Sequence, residues 1–193
     1  MKKYELTDGI TSDDGYTLYR IRALRDFGDV KKGDLGGYIE KEENLSHYGN
    51  AWVYGNAEVY GEAEIYGNAE VYGDARVYDE AEVYDNARVY DNARVYGDAE
   101  VCGNAWVCGN AWVCGEAEVY DNASIMWCSK IGSRLGTTTV FKCNDGNIKV
   151  TCGCFYGTLD EFDKKVEKTH GDNRFGREYK AFIELVKIHF EEN

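Results

Sequence analysis

The chain has 193 residues, 44% hydrophobic and 30% charged, with a net charge of −13. That composition excludes a disordered chain, and no apolar run approaches the roughly eighteen residues of a membrane-spanning helix. The acidity is uneven: Gly49 to Cys128 hold fifteen Asp/Glu against three Arg, a net of −12, whereas residues 1–48 carry −2 and residues 129–193 carry +1.

A surface so acidic repels a phosphate backbone, so direct nucleic-acid binding is not expected and a basic protein partner is. The opening Met1-Lys2-Lys3-Tyr4-Glu5 lacks the apolar stretch of a signal peptide. Seven cysteines, spaced with a repeat rather than as a disulfide framework, point to reduced thiols and a cytoplasmic protein with no membrane partner.

Residues 1–38 read as an N-terminal β cap. After the Asp13-Asp14-Gly15 turn, Thr17 to Leu24 is an imperfectly alternating strand. Asp26-Phe27-Gly28 is no kinase signature, because neither a Gly-rich loop nor a catalytic loop accompanies it.

Residues 39–132 repeat. Ala stands at every sixth position from Ala51 to Ala123, thirteen times, and Val or Ile follows two residues later. The unit is Ala-x-Val-Tyr-Gly/Asp-Asn/Asp/Glu, as in Ala57-Glu58-Val59-Tyr60-Gly61-Glu62. Leu45 stands in the Ala slot of a degenerate copy, with Ile39 six residues earlier, and Ser129-Lys130-Ile131-Gly132 makes one more unit. A six-residue period marks a short strand and a corner. Ala and Val, two apart, point inward; the residue between them points outward; Gly and Asn suit the positive-φ backbone of a tight corner. Small Ala fits near the axis and Val fills the rest.

In register, Val-Tyr-Gly-Asn-Ala-x resembles the Ile-Gly-Asp-Asn-Val-x unit of the hexapeptide-repeat proteins, with Tyr in place of the usual Gly. The resemblance implies a mainly β fold, a left-handed parallel β-helix of eighteen residues per coil. Residues 39–128 then form five coils, a prism roughly 24 Å long. The segments Arg20 to Leu24 and Asp34-Leu35-Gly36-Gly37, and later Cys152 to Phe162, resemble the terminal modules of hexapeptide-repeat proteins encoded by phages and prophages.

Folded at eighteen, the outward residues sort by face. One carries Glu64, Glu82, Glu100 and Glu118; a second Trp52, Glu70, Arg88, Trp106 and Ser124; a third Glu58, Arg76, Arg94 and Trp112. The Glu column is a candidate docking strip for basic side chains, with a solvated face as its plain alternative. Trp106 and Trp112, on adjacent faces, are a candidate recognition patch or simple aromatic cover. Tyr48, Tyr66 and Tyr84 stack on one edge, with parallel Tyr columns on the other two. Cys102, Cys108 and Cys114 replace Tyr on three different edges, too far apart for disulfides among them.

Residues 133–193 read as a ββαα module. Thr137 to Cys143 and Asn147 to Gly153 alternate around the Asp145-Gly146 turn, with Cys143, Cys152 and Cys154 on one side beside Ile148 and Val150. Thr158 to Glu161 is a capping box that opens a helix burying Leu159, Phe162 and Val166. A second helix from about Gly176 buries Tyr179, Phe182, Ile183, Val186 and Phe190.

Hexapeptide-repeat folds often are acyltransferases with a catalytic His between subunits. Here only His47, His170 and His189 exist, and no loop interrupts the regular repeats. The cysteines form no Cys-x-x-Cys pair, so no metal and no cofactor are expected. The expectation is a non-enzymatic phage or prophage interaction protein, a homo-oligomer in the host cytoplasm, binding a basic or nucleic-acid-binding partner, in one form as a DNA-mimicking inhibitor of host defence. A structural, self-assembling element is the alternative, and an acyltransferase a further one.

Overall fold

A computed structural model describes residues 2–121, 125–143 and 146–191. Ala123, Ser124 and Asp145, which the sequence places in the last regular hexad and at a hairpin turn, lie outside them.

The described chain forms β1 (Tyr4–Thr11), β2 (Thr17–Ala23) and β3 (Leu35–Ile39), then twelve two-residue strands at six-residue intervals, β4 (Trp52–Val53) to β15 (Glu118–Val119). Next come β16 (Ile125–Ile131), β17 (Gly136–Lys142), β18 (Ile148–Cys152), β19 (Phe155–Thr158), α1 (Leu159–His170) and α2 (Arg174–Phe190). The short strands pair in parallel with the strand eighteen residues on, as Glu70 with Arg88 and Glu100 with Glu118. The result is a parallel β-solenoid of about five turns, its flat sides being three sheets.

Each described Ala of the repeat and each Val two residues after it is buried without solvent contact, so Ala and Val together form the core. Corners turn through positive φ, mostly at Gly, but Asp79, Asp85 and Asp91 occupy it on one complete coil with φ of 59, 57 and 60°. Their carboxylates accept from the N–H groups of Gly97 (3.3 Å), Gly103 (3.4 Å) and Gly109 (3.1 Å) on the next coil. A bond to the next coil offsets backbone strain that glycine would avoid. Tyr rings stack along the edges, Tyr66 on Tyr84 at 4.9 Å and Tyr60 on Tyr78 at 5.1 Å. Tyr48, in contrast, is 85% exposed and is no stacked member of its column.

The first coil differs from the expected register. Leu45 bridges to Ile65 and Ile39 pairs with Val59, so both fill Val slots rather than Leu45 filling an Ala slot. The offset there is twenty residues, not eighteen. The two additional residues are absorbed between Leu45 and Trp52, where Gly49 and Asn50 return to register opposite Gly67 and Asn68.

Both ends are closed. At the N-terminal end β1 and β2 extend the sheet of β3 in antiparallel fashion, and buried Asn44 donates to the carbonyls of Gly61 (3.0 Å) and Ala63 (2.9 Å). The cap also covers Trp52, expected to face outward but only 1% exposed, edge-on to Phe27 at 5.2 Å and to Tyr4 at 6.0 Å.

At the C-terminal end β16 to β19 form one antiparallel sheet. Ser129 to Ile131 therefore belong to a β16–β17 hairpin instead of a further hexad, and the module has four strands where two were expected. The longer, β-branched and aromatic run from Ile125 has no Ala at the axis position and cannot wind another coil. One face of this sheet, with Val140, Val150 and Cys152, packs on α1 and α2; the other puts Phe141 and Cys143 on the solenoid core. Cys143 thus lies opposite Cys152, and Cys154, in the tight turn after β18, is exposed. The hydroxyl of Thr139 accepts from Trp112 N–H at 3.0 Å, and that of Thr151 donates to Trp112 O at 3.0 Å. Side chains from the capping sheet thereby satisfy the free edge of β14, which would otherwise template a further chain.

Candidate acidic docking face

Two of the three solenoid faces compensate their charges from coil to coil. On one, Glu70 pairs with Arg88 at 3.1 Å, and Arg88 lies over the Trp106 ring at 5.7 Å. On another, Glu58 pairs with Arg76 at 3.2 Å, and Arg94 lies over the Trp112 ring at 5.3 Å. Arg76 also meets Asp13 (2.8 Å) and Asp14 (3.8 Å) at the tip of the β1–β2 hairpin, pinning the cap to that face.

The third face carries acids alone in its strand column. Glu64, Glu82, Glu100 and Glu118 sit in parallel register on successive coils. The preceding corner adds Glu62, Glu80, Asp98 and Glu116, each eighteen residues apart and all exposed. This second column is equally legible on folding the sequence at eighteen, but corner slots read as turn chemistry hide it. A groove between the columns is lined by Glu62, Glu64, Glu80, Glu82, Asp98 and Glu100. Lysines stand at both ends: Lys41 pairs with Glu62, and Lys149 of β18 lines the hollow that contains Glu116 and Glu118.

The carboxylates perturb one another. A hydrogen bond with Asp98, then the Asp98 charge, holds Glu80 above the usual carboxylate range. Partial burial and then the Glu100 charge raise Glu118. Phenols organise the inner column: Tyr66 Oη donates to Glu82 at 2.7 Å and Tyr84 Oη to Glu100 at 2.9 Å. Burial and the Glu82 bond push the Tyr66 phenol upward; for Tyr84 the contact with Cys102 comes first, then burial and the Glu100 bond. These tyrosines therefore remain donors.

Trp106 and Trp112 occupy different sheets. Trp106 is 45% exposed, whereas the half-buried Trp112 has its backbone clasped by the capping sheet. The three Cys corners belong to the last coil, where capping residues arrive: Trp127 lies over the Gly109 corner and Tyr156 over the Gly115 corner. A thiol leaves room there that a Tyr ring would fill. No disulfide occurs among the described residues. Among the same residues no group of three or more His, Cys, Asp or Glu is placed to hold a metal ion, and no helix is long and apolar enough to cross a membrane.

Fold and face together define a repeat β-solenoid protein. One family model, described as YdcK Beta solenoid repeat, matches residues 81–97 and 87–103. The two matches start six residues apart, the length of one hexad. No curated protein matches the chain significantly.

Proposed function

We propose that the protein is a non-enzymatic binding scaffold of phage or prophage origin, with a left-handed coil as the hexapeptide resemblance implies. Its acidic face docks a basic or nucleic-acid-binding protein in the host cytoplasm. The carrying observation is the contrast among faces: two pair Glu with Arg between coils, and one stacks Glu64, Glu82, Glu100 and Glu118 without an Arg. Like charges on adjacent strands cost stability, and a cationic partner relieves that cost on binding. The strand and corner columns supply two carboxylates per coil, about one charge per 2.4 Å of axis at a strand spacing of roughly 4.8 Å. Duplex DNA carries about one per 1.7 Å, which supports the DNA-mimicking form of the proposal.

The test is affinity capture from host extract with wild type, Glu82→Lys/Glu100→Lys, and, as a charge-matched control, Asp8→Lys/Asp29→Lys at two exposed acids of the N-terminal cap. Support is a basic protein retained by wild type and the control, released by moderate salt, and not retained by the Glu82→Lys/Glu100→Lys variant. Equal retention by all three, or no salt-sensitive basic partner, overturns the reading.

A further inference from the structure

The C-terminal module contains a hollow of about 260 Å³ beside the β17–β18 pair and α1. Phe162, Val166 and the Tyr179 ring give it an apolar floor, and Arg134, Lys165 and His170 stand around it. No carboxylate lines it, in a chain whose net charge is −13. Among the described residues neither Arg134 nor Lys165 has an ion-pair partner. The nearby acid Glu178 is already engaged by Gly132 N–H (3.0 Å) and Arg174 (2.8 Å). The His170 ring is held at 5.8 Å from Tyr179 and 6.0 Å from Phe175. Cys152 Sγ, on the inner wall, accepts from Thr138 Oγ1 at 3.2 Å and lies 3.6 Å from Tyr179 Oη, so packing accounts for that thiol.

Uncompensated cations beside an apolar hollow are complementary to a molecule with an anionic head and an apolar body. The guanidinium of Arg134 suits a planar carboxylate or a phosphate, which it can hold through two N–H groups. The volume is below the roughly 300–1,000 Å³ of sites for drug-sized ligands, which limits the body to about one ring or a short chain. We propose that this hollow binds a small organic anion, a carboxylate or phosphate monoester bearing one aromatic ring or a short acyl chain. The site is independent of the acidic face.

The experiment is calorimetric titration of the full chain with 3-phenylpropionate, phenyl phosphate and neutral 3-phenylpropanamide. Saturable binding of at least one anion is expected, at least about tenfold tighter than the amide, and comparison of the two anions identifies the preferred head. Gly136 lines the hollow, its φ is ordinary, and a Cβ there meets nothing within 4 Å. Gly136→Leu therefore fills the space without backbone strain and should abolish binding while leaving the melting temperature unchanged. Arg134→Glu and Lys165→Glu, at exposed positions, should weaken the anions and not the amide, and Glu82→Lys/Glu100→Lys should leave all three titrations unchanged. Equal affinity for the amide, anion binding that survives Gly136→Leu in a folded protein, or no saturable binding of either anion overturns the proposal.

Discussion

Tyr66 donates its phenolic hydrogen to Glu82 at 2.7 Å, across one coil of the solenoid, and Tyr84 repeats the contact with Glu100 at 2.9 Å. A column of stacked rings thus holds a column of like charges in place. Tyr66→Phe and Tyr84→Phe keep the stacking and remove one charge-assisted bond each. Each should lower stability by about 1 kcal/mol in urea unfolding, and in a double-mutant cycle most of the Tyr66→Phe loss should vanish in a Glu82→Ala background, which has no acceptor.

Corner chemistry yields a sharper contrast. Asp91 sits at φ 60° and accepts from Gly109 N–H at 3.1 Å. Asp91→Ala keeps the unfavourable backbone and loses the bond, so it should destabilise by about 1–2 kcal/mol. Asp91→Gly loses the same bond but relaxes the strain and should stay within about 0.5 kcal/mol of wild type. Equal losses in thermal unfolding would show that φ is not what the Asp side chain offsets.

The acidic face sets the response to mild acid. Glu80 and Glu118 are held above the ordinary carboxylate value, so the folded state binds protons more tightly than the unfolded chain just above that value. Stability should therefore rise as pH falls from neutrality toward the ordinary carboxylate range. At lower pH it should fall, because Glu161 and Glu178, held below their ordinary value first by backbone N–H bonds from Thr158 and Gly132, must take up protons. Glu100→Gln, which removes a neighbour of Glu118, should flatten the rise in chemical denaturation followed from pH 7 to pH 4.

At alkaline pH Lys3 dominates first. It is buried with Nζ donating to Ala51 O at 2.7 Å, and burial followed by the Arg25 charge lowers its pKa to about 8. From about pH 8 the folded chain has lost a proton that the unfolded chain still holds, so stability should increase with pH until the cysteines begin to titrate near 9. From about pH 9 the opposite sign takes over, because burial raises the thiols of Cys102, Cys114 and Cys128 and the unfolded chain loses those protons first. Tyr4, Tyr60 and Tyr96, whose phenols burial pushes upward, stay protonated when folded while the unfolded chain ionises. Lys3→Met should abolish the rise between pH 8 and pH 9 and leave the later fall intact.

The capping sheet closes the solenoid through two hydroxyls. In Thr139→Val/Thr151→Val the Trp112 N–H and C=O lose their partners, which should cost about 1–3 kcal/mol per group. An unsatisfied strand edge also recruits other chains. Sedimentation velocity should show concentration-dependent association in the double variant beyond that of wild type.

Sequence alone determined the repeat, because each hexad meets one recurring environment: Ala at the axis, Val beside it, a polar residue outside. The same periodicity made the Glu64–Glu118 column legible, along with the unread Glu62–Glu116 column. Both helices of the module were legible too, through a capping box and a 3.6-residue apolar spacing that are local signals. Tertiary structure decided what periodicity does not encode. The two-residue slip at Leu45, the burial of Trp52 and the antiparallel path of Ile125 to Ile131 all arise where the solenoid meets a cap, and a cap imposes contacts between residues distant in the chain. It also decided how the other two faces are neutralised: Arg76 and Arg88 reach carboxylates one coil away, at Glu58 and Glu70. Charge balance between coils depends on side-chain reach in three dimensions, and only the folded chain sets that reach.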